Sequence, residues 1–262
     1  MEQRLVRYRV DEGIAVLELN SPPANTYSYD MMRELDGAVL LARFDPAVHA
    51  LLLTGAGDRF FCAGADIAML RGADPHFKYH FCLHANETLN RLKQTPKLVI
   101  AALNGHTVGG GLEIALAADL RIARRGGGKI GLPEVNLGVL PGTGGTQRLA
   151  RIVGKARAIE LMASGRTFEF EEAERLGLVQ GILEGPQFQD EALAYVRQYL
   201  PPHRASRAVG LIKRSVQSGL EMSFHEGLAL ERELQQRLFE SEDATEGLEA
   251  YLAKRPAVFR GR

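Results

Sequence analysis

The sequence predicts an α/β core followed by a helical tail, and three observations lead there. Short, wholly apolar runs such as 50–54 and 98–103 alternate with stretches of helical periodicity up to about residue 200. The 28 glycines exceed the average share of about 7% and gather at 55–64, 105–111, 126–131 and 138–145, beside those runs. That is the mark of tight strand-to-helix turns, where backbone comes close to something else. Beyond Pro201-Pro202 the stretch 205–254 carries amphipathic helical patterns and no convincing strand.

In chain order, 5–10 and 14–19 read as a hairpin turning at Asp11-Glu12-Gly13. Residues 21–26, SPPANT, form a loop. Ser28 is placed to cap a helix with Met31, Leu35, Ala38, Val39 and Ala42 on one face. The run 50–54 is a strand buried on both faces, 76–94 a helix, and 98–103 a second buried strand after Pro96. A helix over 112–118 and a strand over 120–123 follow. Further helices are expected at 144–152, 155–163, 169–176 and 188–199. The division is then a core over 1–200 and a helical region over 201–262.

Composition narrows the function. At 45% hydrophobic and 24% charged, neither disorder nor coiled coil dominates. Thirty-two basic and 32 acidic residues balance, which disfavours a dedicated nucleic-acid binder. Cys62 and Cys82 are too few for a disulfide framework and suit a reducing compartment. The first residues, MEQRLVRYRVDEG, hold no apolar signal core, and no apolar run reaches the ~18 residues of a membrane span. A cytoplasmic protein without membrane partners is expected.

Chemistry concentrates in three segments: LLLTGAGDRFFCAGADI (51–67), VIAALNGHTVGGGLEIALAADLRIA (99–123) and KIGLPEVNLGVLPGTGGTQRL (129–149). In the second, Gly109-Gly110-Gly111 end a strand and open a helix, where unpaired N–H groups are exposed. Glu113 follows within one turn. The first segment offers another turn before a helix, Ala63-Gly64-Ala65-Asp66. Two such turns can supply two N–H donors to one oxygen, the geometry of an oxyanion hole. Glu134, after a proline in the third segment, adds a second carboxyl. A polarised carbonyl flanked by two carboxyls has a proton acceptor and a proton donor at hand.

These segments resemble the crotonase superfamily, which includes enoyl-CoA hydratases and isomerases. The similarity runs from about 12 to 260 and rests on CAGADI, NGHTVGGGLEIALAADLRIA and LPEVNLGVLPGTGGTQRL in the family's order, with a similar closing KRPAVFRGR. The resemblance implies a spiral of ββα units with a C-terminal helical region, assembled as a homotrimer or homohexamer. The tail's Leu211, Ile212, Val216, Leu228, Leu230, Leu234 and Leu238 would pack on the core and on neighbours. It implies that the amides of Ala65 and Gly110 hold a thioester oxygen, each contributing about 2.7–4 kcal/mol in the transition state. It implies that Glu113 activates water and Glu134 delivers a proton to the carbon beside the carbonyl. The reaction would hydrate a 2-enoyl-CoA, with no cofactor beyond the CoA of the substrate and no metal. Residues 63–68, hence Ala63, Ala65, Asp66, Ile67 and Ala68, would lie along the CoA, with Arg59 facing its nucleotide. Family members that only shift a double bond often keep one glutamate, at the position of Glu134. Three stretches depart from the family pattern: Asn25-Thr26-Tyr27, Ala68 in place of a lysine, and 72–82. They leave the acyl group open between short, long and branched, and double-bond isomerisation is the alternative reaction.

Other readings carry less. His76, His80 and His84 share a helix face at zinc-binding spacing, but only Glu87 accompanies them, and a solvated or partly packed stripe explains them. His106 and Cys62 read as structural, Cys62 as a small buried filler. LLLTGAGDRF lacks the last glycine of a dinucleotide fingerprint, and no Walker loop or G-x-S-x-G occurs. A non-catalytic binding module is opposed by the retention of both glutamates.

Overall fold

The computed structural model describes residues 4–262. Strands β1 (Val6–Asp11) and β2 (Ile14–Leu19) form the expected hairpin, with Glu12 and Gly13 at positive φ in the turn. Helix α1 (Tyr29–Phe44) starts at Ser28, whose hydroxyl accepts from the Met31 amide, and buries the apolar face read from its periodicity.

A three-part unit then repeats. In the first, β3 (Ala50–Gly55) and β4 (Phe60–Cys62) precede helices α2 (Ile67–Gly72) and α3 (Pro75–Lys93). In the second, β5 (Leu98–Leu103) and β6 (His106–Val108) precede α4 (Gly110–Leu116). In the third, β7 (Leu120–Arg124) and β8 (Lys129–Gly131) lead through a 3₁₀ turn at Glu134–Leu137 to α5 (Gly145–Val153) and α6 (Lys155–Ser164). The first strand of each unit enters one sheet and the second enters another. With β9 (Phe168–Glu169), α7 (Phe170–Arg175) and β10 (Gly181–Leu183), the sheets run β1-β2-β3-β5-β7-β10 and β4-β6-β8-β9. Within each sheet the repeated strands pair parallel, so the chain winds as a spiral of ββα units. Helix α8 (Phe188–Arg197) covers the large sheet, and α9 (Ser206–Gly219), α10 (Phe224–Phe239) and α11 (Glu242–Leu252) complete the chain.

The apolar runs are continuous because both their faces are covered. Leu51 and Leu53 of β3, with Val99, Ala101 and Leu103 of β5, face the interior shared with α1, α3 and α4. Ala50, Leu52, Leu98, Ile100 and Ala102 face α8. Each fully buried leucine contributes about 1.5–3 kcal/mol, so the central strands are the stable frame. The helix expected from 112 starts two residues earlier, at Gly110. The three-residue strands β4, β6 and β8 were not read from the sequence, being too short to show a period.

What turns the chain from the large sheet into the small one is Asn104. Its side-chain oxygen accepts from the Gly55 amide at 3.0 Å. Its NH₂ group donates to the carbonyls of Gly55, Gly57 and Phe60 at 3.1, 2.8 and 3.3 Å. Asn25 adds bonds to the carbonyls of Ala56 and Phe60, both at 2.9 Å. Two buried side-chain amides, with Asn104 making most of the bonds, thus hold the 55–60 turn that delivers β4. Asn104→Ala strands several buried backbone groups and is expected to cost about 2–3 kcal/mol. A urea unfolding curve checks this, and an unchanged midpoint would show that the backbone alone holds the turn.

Candidate active site

The ends of β4 and β6 place two backbone turns against each other. Tyr27 forms a parallel bridge with Ala65: its amide donates to the Gly64 carbonyl at 2.9 Å, and the Asp66 amide donates to its carbonyl at 3.0 Å. In that pattern the neighbours' groups point at Tyr27 and Ala65's own N–H points away. The Gly109 amide is taken by the Gly131 carbonyl at 2.9 Å, so the next amide, Gly110, opens α4 with no i−4 acceptor. Neither N–H donates to any group among the described residues. The turns touch: a methyl on Gly64 would come within 3.3 Å of the Gly110 nitrogen. Gly64 and Gly109 sit at φ +96° and +57°, where a side chain would be strained as well as crowded.

Both N–H groups border a cavity of about 290 Å³. Ala63, Gly64, Ala65, Gly109, Gly110 and Glu113 line it. Pro133, Glu134 and the apolar Leu137, Val139 and Leu140 line it too, as do Thr143 and Tyr27. Ile67, Leu70 and Lys78 also line it.

The two carboxyls meet opposite surroundings. Glu113 is 2% exposed. Its Oε1 accepts from the amides of Thr143 at 2.8 Å and Gly145 at 2.7 Å, and its Oε2 from the Thr143 hydroxyl. That receiving loop is held in turn by α3 and α5. Arg148 donates to the Thr143 carbonyl at 2.9 Å and to Asn90 at 2.8 Å, and Asn86 to the Gly142 carbonyl at 3.4 Å. Glu134 has no such cradle, and its Oε2 is buried without a hydrogen-bond partner. Burial above all, and then the charge of Glu113, push its carboxyl up to about 7, against the opposing pull of its own amide and of Lys78. A methyl on Gly109 would lie 3.2 Å from Glu134 Oε1, so this carboxyl stands beside the free amides.

The expected site residues are therefore partly assembled. Ala63, Ala65, Ile67, Gly110, Glu113 and Glu134 share the cavity. Asp66 caps α2, accepting from the amides of Ala68 at 2.8 Å and Met69 at 3.1 Å. Asp66, the exposed Ala68 and the exposed Arg59, whose guanidinium lies over the Phe60 ring, are not among the cavity-lining residues. Four polar lining residues were not read as functional: Tyr27, Lys78, Asn136 and Thr143. Tyr27 and Lys78 both fall in stretches that depart from the family pattern, which was the available signal. Of the remaining candidates, His106 accepts from the Lys129 amide at 3.0 Å and ties the small sheet together. Cys62 is fully buried, with burial pushing its thiol up to about 12. His76 and His80 pack edge to face on the exposed side of α3. No group of three or more His, Cys, Asp or Glu able to hold a metal occurs among the described residues.

Comparison with known proteins bears on this geometry. A family model described as enoyl-CoA hydratase/isomerase matches residues 9–262. A crotonyl-CoA hydratase of Syntrophomonas wolfei is 36% identical over 250 residues, covering 95% of each chain. A short-chain-enoyl-CoA hydratase of Clostridium acetobutylicum is 35% identical over 256 residues, covering 97% of each. The crystal structure of an enoyl-CoA hydratase from Geobacillus kaustophilus HTA426 superposes with a TM-score of 0.96 at 43% identity, covering 100% of this chain and 98% of that one.

The ionisation of Glu134 has a consequence for stability. Its value in the folded state lies above the usual 4.5, so between those two pH values the folded protein binds the proton more tightly than the unfolded chain. Stability is lost as pH rises through that window. Glu134→Gln cannot ionise there. Allowing for partial solvent screening of the site, the Tm advantage of the variant should grow by ~2–4 °C between pH 4 and pH 8. A constant gap in differential scanning calorimetry would show that this carboxyl is not held out of water.

Proposed function

The chain belongs to the enoyl-CoA hydratase/isomerase family, and from that premise we propose that it adds water across the 2,3-double bond of a 2-enoyl-CoA thioester. The product is a 3-hydroxyacyl-CoA. The single observation that carries the reading is the cavity's inventory: two unclaimed backbone N–H groups side by side, with two carboxyls of opposite environment next to them.

The thioester oxygen takes the amides of Ala65 and Gly110. Negative charge that builds on this oxygen during attack is met by donors already in place, each worth about 2.7–4 kcal/mol. Drawing electron density toward the oxygen leaves C3 electrophilic. Water attacks C3 and yields a proton to Glu113. The electron pair of the double bond moves to C2 and the carbonyl, and C2 takes a proton from Glu134. A C–O bond and a C–H bond form, one O–H bond of water breaks, and the two carboxyls recover their protonation by exchange with solvent. The acid must begin protonated, which a value near 7 allows near neutral pH. Both proton transfers and the charge stabilisation come from the protein, so the reaction needs no metal and no cofactor beyond the substrate's own CoA. The presence of both carboxyls favours hydration over double-bond isomerisation.

The pantetheine is assigned to Ala63, Ala65, Asp66, Ile67 and Ala68, supported by the three of them that line the cavity, Ala63, Ala65 and Ile67. Arg59 is assigned to the nucleotide, supported by its exposure near β4. The apolar Leu70, Leu137, Val139 and Leu140 suit the acyl chain. For the assembly we infer a homotrimer or homohexamer built through residues 201–262, supported by Ile212, Val216 and Leu220, which leave apolar surface on and just after α9. No helix among the described residues is long and apolar enough to cross a membrane. The cytoplasm is the compartment that two free cysteines suit.

Crotonyl-CoA hydration, followed by loss of enoyl absorbance, tests the reading. Glu113→Gln and Glu134→Gln should each lower kcat by ~100-fold or more; near-normal turnover in either variant removes that residue from the mechanism. In wild type, kcat/KM for hydration should fall as pH rises through about 7, where Glu134 loses its proton. A profile flat from pH 6 to 9 would contradict Glu134 as the acid.

A further inference from the structure

We propose that Tyr27 is a positioning residue for the hydration step, acting through Thr143 to hold Glu113 as the water-activating base. The inference rests on the hydratase reading above and adds to it a residue that the motifs do not include.

Tyr27 is 2% exposed: it belongs to the buried core and also lines the cavity. Its position is set twice over. The backbone is pinned by the bridge to Ala65, and the ring stacks on Phe81 with centroids 5.7 Å apart. The ring also fills the space beside the Gly110 Cα, so that even a methyl there would collide with it. A tyrosine so confined has essentially one rotamer, and its hydroxyl points at one place.

That place is Thr143. The Tyr27 oxygen lies 3.4 Å from Thr143 Oγ1, which in turn contacts Glu113 Oε2. The direction of the chain follows from donor counting. A carboxylate only accepts, so Thr143 must donate its single hydroxyl proton to Glu113. Thr143 Oγ1 is then left as an acceptor, and the Tyr27 hydroxyl is the donor facing it. Burial first, and the charge of Glu113 second, raise the phenol well above its usual 10, so Tyr27 keeps its proton throughout the working range. The Thr143 hydroxyl would otherwise rotate freely about its C–O bond. Tyr27 occupies one of its lone pairs and biases it toward Glu113. Glu113 Oε1 is already tied to two amides. The Thr143 hydroxyl is what fixes the remaining oxygen, Oε2, leaving its other lone pair available to the attacking water.

The test is a double-mutant cycle on crotonyl-CoA hydration. Tyr27→Phe keeps the ring, and with it the contacts to Phe81 and Gly110, and removes only the hydroxyl. Its kcat should fall about 10-fold with KM changed by less than about twofold, since no substrate contact is lost. Thr143→Ala should fall at least as far, and Thr143→Ser, which returns the hydroxyl, should recover most of that loss. The deciding result is non-additivity: the double variant Tyr27→Phe/Thr143→Ala should be no slower than Thr143→Ala alone, because Tyr27 acts only through Thr143. Losses that multiply, or a Tyr27→Phe kcat within twofold of wild type, overturn the proposal and leave the hydratase reading standing. Absence of hydration in the wild-type protein, across short and long 2-enoyl-CoA substrates, overturns both.

Discussion

The site depends on the contact between the turn at 63–66 and the turn at 109–110. Both turns sit where short parallel strands of the small sheet run out, β4 at Cys62 and β6 at Val108. In a parallel bridge alternate amides face away from the partner, so the Ala65 N–H points away from Tyr27, and with the Gly109 amide taken by Gly131 the Gly110 amide is left free. In most proteins one such buried N–H costs about 1–3 kcal/mol and is capped by a side chain. Here two stand together uncapped, because Gly64 and Gly109 let the backbones close to van der Waals distance. Ala65 and Gly110 both line the cavity, where an oxygen that reached the pair would meet two donors already oriented.

The difference between the two carboxyls follows from which segment carries each. Glu113 rides on α4, whose residues are all buried, and faces a loop whose amides converge on it. That loop is braced by Arg148, Asn86 and Asn90, so the cradle depends on α3 as well. Glu134 rides on a 3₁₀ turn with no buried residue and receives no donor at Oε2. One acid is therefore stabilised as an acceptor and the other is starved of partners. Identical side chains thus meet opposite surroundings, which is what the proposed acceptor and donor roles require of them.

Much of this was legible in the sequence. Runs buried on both faces, such as 98–103, announce themselves by continuous hydrophobicity, and glycine clusters mark where backbone must approach backbone. The cavity accordingly brings together Ala65, Gly110, Glu113 and Glu134 as expected. Strands of three residues carry no period to read, so the second sheet was invisible, although it is what aligns the two turns. Tyr27 could be noticed only as an unusual residue, because its hydroxyl meets a group 116 positions away. Arg59 could be noticed only as a charge beside a motif; the fold adds that its backbone carbonyl accepts from His106 and that its guanidinium lies over Phe60.

The balance at Glu134 shows why the stretch at 72–82 matters although it lies outside the shared motifs. Burial raises the proton affinity of this carboxyl and Lys78, on the first turns of α3, lowers it. Those turns present exposed Phe77, Tyr79 and His80 and are held less firmly than the buried half of the helix around Leu89 and Leu92. Lys78 is thus a counter-charge on the exposed start of α3, its Nζ 5.5 Å from the Phe81 ring centroid, while the walls that bury Glu134 belong to the spiral. An acyl chain lying on Leu137, Val139 and Leu140 would displace water from the same space, so desolvation, the largest influence on this carboxyl, and the repulsion by Glu113 would both grow against the pull of Lys78. The acid would then hold its proton most tightly when substrate is in place, which is when the reaction requires it to be protonated.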